Sequence, residues 1–249
     1  MVKNYEEGLL TEQNSLSEAL HINSKNPVIS VTGAGGKTTL IRTMAEEYRK
    51  RKIPVIVTTS THMLAEDRPW FLTEPSEEKA VQILKAEGMV WAGLPAEHGK
   101  IKALPQKFLD RLLTLGYPVL IEADGAKKLP MKVPADHEPV ILPETTHVLC
   151  VYGLDAVGRP LSEVCFRTGT AAEILDMKTT DPVKERDLAK LAFDCRGGRK
   201  GVLPYMEYRV ILNKADNTKR EQTAYRICRL AEAQGHTGIT VLARGNSNQ

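Results

Sequence analysis

Residues 28–40 read Val28-Ile29-Ser30-Val31-Thr32-Gly33-Ala34-Gly35-Gly36-Lys37-Thr38-Thr39-Leu40, a stretch that restricts the fold more tightly than any other in the chain. A β-branched apolar run ends in a glycine-rich turn, and helical spacing starts at once, with Leu40/Ile41, Met44/Ala45 and Tyr48 on one face. Strand, phosphate-binding loop and helix are predicted in direct succession. Glycines let the backbone turn tightly and bring its N–H groups against phosphate oxygens, where a helix N-terminus adds a favourable dipole. The segment Gly33, Ala34, Gly35, Gly36, Lys37, Thr38 and Thr39 is therefore the expected nucleotide-binding element. Lys37 is placed over the outer phosphates, and the Thr38 hydroxyl is a ligand for Mg²⁺. The pattern G-x-x-x-x-G-K-[ST] wants Gly at position 31, where this chain has Val31. The shorter form present, G-x-x-G-K-T-T, is similar to the loop of the Mur ligases, and its double glycine to those of MinD-like and dethiobiotin-synthetase-like NTPases.

Two other strand ends bear on the same chemistry. Tyr117 to Gly125 is an apolar run finishing in Glu122-Ala123-Asp124. Side chains alternate along a strand, so Glu122 and Asp124 point the same way. A phosphate-loop fold uses an acid there to hold Mg²⁺, directly or through water, which leaves the other acid to orient water or substrate. Arg209 to Asp216 is an apolar run ending in Asn213-Lys214-Ala215-Asp216. In this N-K-x-D form the carboxylate of Asp216 accepts two hydrogen bonds from guanine, the Lys214 stem covers the base and Asn213 holds the loop. The nucleotide expected is GTP or ATP, with the motif pointing to guanine. Between these runs, residues 125–139 are rich in proline and charge and predict a loop. Its Lys127, Lys128 and Lys132 could receive an anionic substrate or the triphosphate, and Asp136-His137-Glu138 could supply acid–base or metal-binding groups.

Strand and helix signals alternate along the rest of the chain. Ile53 to Val57 reads as a strand leading into the hydroxyl run Thr58-Thr59-Ser60-Thr61, placed where open α/β sheets bind ligands. Residues 63–75 read as an irregular loop, 76–87 and 105–115 as helices, and 89–92 and 147–152 as strands. Helices follow over 168–177, 181–193 and 218–234, and a last strand over 239–243. This predicts a three-layer, P-loop NTPase-like α/β fold with a mostly parallel sheet flanked by helices. Residues 1–26 are read as a polar extension with one short helix introduced by Ser15-Leu16-Ser17-Glu18. Residues 27–244 form the α/β domain, and 245–249 a frayed tail.

Bulk properties exclude several functions. No apolar run approaches membrane-spanning length and the start is not a signal peptide, so a cytoplasmic protein with no membrane partner is expected. A net charge of +3, dispersed basic residues and 5% aromatic content argue against nucleic acid as a partner. The cysteines, Cys150, Cys165, Cys195 and Cys228, show no C-x-x-C pair, and Cys150 and Cys228 read as buried thiols.

Taken together, the motifs resemble those of the YqeC family, described as accessory proteins for selenium-dependent molybdenum hydroxylases or selenium cofactor biosynthesis proteins. The resemblance rests on Val31 to Thr39, Thr58 to Thr61, Glu122-Ala123-Asp124-Gly125-Ala126, Lys132 to Pro139, Gly153-Leu154-Asp155-Ala156 and Leu212 to Asp216. Where the family often carries His before Arg, this chain has Cys165-Phe166-Arg167. The resemblance implies a nucleotide-binding protein acting in maturation of such a hydroxylase, with the hydroxylase or its cofactor-maturation proteins as partners. Three activities are open. The first is NTP hydrolysis or phosphoryl transfer, with Lys37, Thr38 and an acid neutralising charge and Asp124 or His137 orienting the nucleophile. The others are a non-enzymatic, nucleotide-gated chaperone or binding module, and an ATP-dependent Mur-type ligase.

Overall fold

The structure, a computed structural model, describes residues 1–243. The expected frayed tail from Gly245 lies outside the described residues. In chain order, β1 (Val2–Glu6) and β2 (Leu9–Gln13) form a hairpin, followed by α1 (Leu16–Ala19), β3 (Val28–Gly33) and α2 (Lys37–Lys50). Next come β4 (Val55–Thr59), β5 (His62–Leu64), β6 (Phe71–Leu72), α3 (Glu77–Glu87), β7 (Met89–Ala92), β8 (Leu94–Ala96), β9 (Lys100–Lys102) and α4 (Gln106–Thr114). Then follow β10 (Val119–Glu122), β11 (Met131–Lys132), β12 (His147–Gly153), a 3₁₀ turn (Leu154–Ala156), α5 (Leu161–Val164), β13 (Cys165–Phe166) and α6 (Thr168–Leu175). The chain continues through α7 (Glu185–Phe193), β14 (Glu207–Asn213), α8 (Thr218–Glu232) and β15 (Ile239–Leu242).

One ten-stranded sheet runs in the order β2-β1-β15-β14-β12-β3-β10-β4-β7-β6. From β15 to β6 neighbouring strands are parallel; β1 is antiparallel to both β15 and β2. Strands buried on both faces have to be apolar on both sides, and every residue of β4, β10 and β12 is buried. Alternation sorts their side chains. Ile29, Val31, Val57, Leu120 and Val151 meet Leu40, Ile41 and Met44 of α2 on one face. On the other, Ile56, Val119 and Ile121 meet Leu84 of α3 and Phe108 and Leu112 of α4, while Cys150, Tyr152 and Val210 meet α7 and α8. Burying a side chain such as Leu112 stabilises the fold by about 2 kcal/mol. The result is a three-layer α/β arrangement with a mostly parallel central sheet.

α2 starts at a glycine, carries its apolar stripe through Tyr48, and ends on Arg49 and Lys50, whose charges suit the C-terminal dipole. Cys150 and Cys228 are buried, as their apolar surroundings predict. Two parts differ from the reading of the sequence. Residues 2–13 hold a hairpin, not only a polar extension, although the short helix after it is present and Ser15 caps it. Residues 63–75 also contain more structure than a loop: β5 joins β9 and β8 in a separate three-stranded antiparallel sheet, and β6 extends the main sheet beside β7.

Candidate functional site

The parallel strands β3, β10, β12 and β14 all finish at one edge of the sheet, and their C-terminal ends bring the sequence-distant motifs together. Between β3 and α2 the backbone passes through three glycines with positive φ, Gly33, Gly35 and Gly36. A Cβ on Gly35 would lie 2.3 Å from Gly153 N and 2.8 Å from Pro130 O, so the turn can pass here only as glycine. The turn is fastened from several sides. Gly33 N–H donates to Asp124 Oδ2 at 3.1 Å, Ala34 N–H to Val151 O at 2.7 Å, and Gly35 N–H to Leu129 O at 3.0 Å. Asn213, the last residue of β14, donates through Nδ2 to Gly35 O at 2.8 Å.

These bonds refine the expectation that the whole loop offers N–H groups to an anion. Those of Gly33, Ala34 and Gly35 are engaged within the protein. Among the described residues, the donors without such partners are Gly36 N–H and the first turn of α2, whose N–H groups have no carbonyl one turn before them. The positive end of the helix dipole lies at the same place.

The carboxylates of the β10 end divide their work. Thr38 Oγ1 donates to Glu122 Oε2 at 2.8 Å. Burial pushes the Glu122 carboxyl above its usual range, against the lowering effect of Lys37 and of the Thr38 hydrogen bond. Asp124 turns to two ammonium groups. Lys37 Nζ donates to Gly33 O at 2.7 Å and stands 3.0 Å from Asp124 Oδ1, an ionic contact that leaves this buried oxygen without an aligned hydrogen bond. Lys132 Nζ lies 3.0 Å from Asp124 Oδ2, 2.8 Å from Glu138 Oε2 and 2.6 Å from Gly125 O. Arg167 continues the chain of charge, donating to Glu138 Oε2 at 2.8 Å and Val133 O at 2.9 Å.

Lys132 is therefore not a loop cation open to an incoming anion. Its side chain is 1% exposed and is used up inside the protein. Lys127 and Lys128 are exposed on the loop beside the turn, both with positive φ, and Lys127 lies over the Phe166 ring. His137 is exposed and its ring makes no hydrogen bond or ion pair among the described residues, so it does not join this cluster. Thr39 is also exposed, on the first turn of α2.

At the β14 end, Lys214 adopts φ +69°, and its ammonium pairs with Asp155 Oδ2 at 2.6 Å. Asp216 faces Arg220 one helical turn on, at 3.6 Å. The Gly153-Leu154-Asp155 segment thus meets both the glycine-rich turn and the Asn213-Lys214 segment. Asp155 and Arg167 were not singled out as site residues from the sequence, and Lys132 was read only as a loop cation for an incoming anion. A signal for Lys132 exists, since it stands between Met131 and Val133 and all three are buried.

Thr38, Glu122 and Asp124 are the residues that could hold a divalent cation. Their donors are hard oxygens, and one of them, Asp124 Oδ1, is buried without an aligned partner. No group of three or more His, Cys, Asp or Glu able to hold a metal ion is present among the described residues. A Mg²⁺ site does not need one, because it keeps water and phosphate oxygens among its ligands.

The sequence model of a family described as "YqeC protein" matches residues 29–169. The chain is also similar to a protein of Escherichia coli (strain K12) named "Uncharacterized protein YqeC", 29% identical over 199 residues, which cover 78% of each chain. The glycine-rich turn, both acids, Lys132, Glu138, Asp155 and Arg167 fall inside the family match, whereas Asn213 to Asp216 lie beyond it. No helix among the described residues is long and apolar enough to cross a membrane.

Proposed function

The chain belongs to the YqeC family, and from that premise we propose that it binds a nucleoside triphosphate with Mg²⁺ at the C-terminal edge of the sheet. There it acts as an NTPase or phosphotransferase serving the maturation of a selenium-dependent molybdenum hydroxylase. The observation that carries the nucleotide reading is the convergence of Lys37, Thr38, Glu122 and Asp124 at the start of α2, with Asn213 fastened to the turn. The hydroxylase role is supported by the family resemblance alone.

In this reading, the N–H groups at the α2 start receive the phosphates, and Lys37 moves from Gly33 O and Asp124 to the outer phosphate oxygens. Bound Mg²⁺ would supply charge neutralisation for the transferred phosphoryl group, held by Thr38 and Glu122. The raised Glu122 carboxyl is relieved when a cation comes close. When Lys37 leaves, Lys132 remains beside Asp124 Oδ2, and Oδ1 is then free to orient the nucleophile. His137, exposed on its loop, is set aside for this task. Asp216 reads guanine, with Asn213 and Lys214 in the supporting roles their motif suggests.

Calorimetric titration of GTP and ATP with Mg²⁺ tests this on the natural chain, Lys37→Ala and Asp216→Asn. GTP binding lost in both variants is expected. ATP binding indifferent to Asp216 overturns the guanine assignment, and nucleotide affinity unchanged in Lys37→Ala overturns the site.

A further inference from the structure

The small sheet of β5, β9 and β8 is built with two unlike faces. Strand alternation turns Ile101 inward, where it is fully buried opposite Met63 and packs with Leu40, Ile41 and Met44 of α2. Gly93 permits that approach, since a Cβ there would meet Ile101 at 2.8 Å. The same alternation turns Lys100 and Lys102 outward together. His62 pairs with Lys102 across the ladder and Ala96 with Lys100. The β8–β9 turn, with positive φ at His98 and Gly99, sets His98 at its tip. These side chains and Glu97 line an open groove of about 680 Å³.

Its charge is unbalanced. His62, Lys100 and Lys102 make no ion pair or side-chain hydrogen bond among the described residues, and the one acid, Glu97, is turned to solvent 3.9 Å from His98. Its position is tied to the site. Thr59, three residues before His62, donates to Glu122 O at 2.9 Å, and Arg42 of α2 pairs with Glu66 just after β5. The helix that begins at the glycine-rich turn thus carries the groove on its flank.

We infer that this groove binds a small phosphate-bearing co-substrate, the second ligand of the nucleotide site. Two ammonium groups and two imidazoles along one groove, against the single carboxylate of Glu97, suit a multiply charged anion. The inference rests on the proposed nucleotide site and adds to it the chemical class of the second ligand.

The test is an NMR titration of inorganic phosphate into the full chain, reading the imidazole signals of His62 and His98 against those of His21 and His236. Potassium chloride at matched ionic strength is the control. Saturable shifts confined to His62 and His98 are expected, with affinity about tenfold weaker or lost in Lys100→Glu/Lys102→Glu. Both substitutions are on exposed positions, and an unchanged melting temperature keeps the comparison valid. Shifts shared by all four histidines, reproduced by chloride, or retained in the double variant overturn the groove. Separate calorimetry with Mg²⁺–nucleotide distinguishes the two readings. Nucleotide binding with no phosphate response at His62 overturns the groove alone, and a phosphate response without nucleotide binding overturns its link to the nucleotide site.

Discussion

Asn213 Nδ2 donates to the carbonyl of Gly35 at 2.8 Å, a bond across 178 residues that joins the last residue of β14 to the glycine-rich turn after β3. The two strands are not neighbours, since β12 lies between them. The side chain therefore spans the strand end that a backbone ladder could not. Asn213 Oδ1 in turn accepts from Lys214 N–H, which holds that residue in its left-handed conformation.

Replacing Asn213 with alanine removes both bonds. Stability should fall by about 2 kcal/mol, two bonds at the usual worth of about 1 kcal/mol each, and nucleotide affinity by about tenfold or more because the turn loses its fastening. Chemical denaturation and calorimetry read the two effects. A variant with full affinity would show that the clasp is structural only.

Thr38→Ala should abolish the gain in nucleotide affinity that Mg²⁺ provides, while Thr38→Ser keeps it, since only the hydroxyl is required. Affinity measured with Mg²⁺ and with EDTA gives the ratio directly. A ratio unchanged in the alanine variant removes Thr38 from the cation site.

Gly35→Ala meets the backbone of Gly153 and Pro130 O as well as a φ of +82°. Neither obstacle is a flexible side-chain tip, so a loss of about 3 kcal/mol or more is expected. An urea midpoint within error of the natural chain would contradict this packing.

Glu138 gives a pH dependence whose sign follows from its surroundings. Burial alone would raise its carboxyl, but the Lys132 hydrogen bond and charge, the Ala135 N–H and Arg167 outweigh that and hold it at about 2. A carboxyl depressed in the folded state stabilises above its unfolded value, near 4.5, and that stability is lost as pH falls towards about 2. Glu138→Gln should be less stable at pH 6 and show a flatter decline between pH 4.5 and 2.5. Parallel decline in both proteins would remove Glu138 from the acid response.

The central strands and the turn were legible because each carried its own local signal. β3, β10 and β12 are buried along nearly their whole length, as are residues 210–212 of β14, and their motifs sit just where the apolar run stops. That Glu122 and Asp124 act on one side followed from alternation; that one serves Thr38 and the other Lys37 did not, because it depends on where α2 begins in space. The hairpin of β1 and β2 was hidden for a physical reason. It sits at the sheet edge with Leu9 and Glu12 exposed, so it lacks the continuous apolar run of a covered strand. Lys132 was misread as a solvent cation because its partners, Asp124 and Glu138, reach it only when residues 124–138 fold back on themselves.

The antiparallel pairing of β1 with β15, Val2 opposite Leu242, sets an order of assembly. A ribosome delivers the hairpin before its partner strand, with the parallel strands β3 to β14 made in between. Until β15 emerges, β1 has only β2 beside it, and a lone two-stranded hairpin is marginal in water. A nascent chain stopped short of residue 239 keeps two open strand edges, at β1 and at β14, as templates for aggregation. Closing this side of the sheet thus waits on β15.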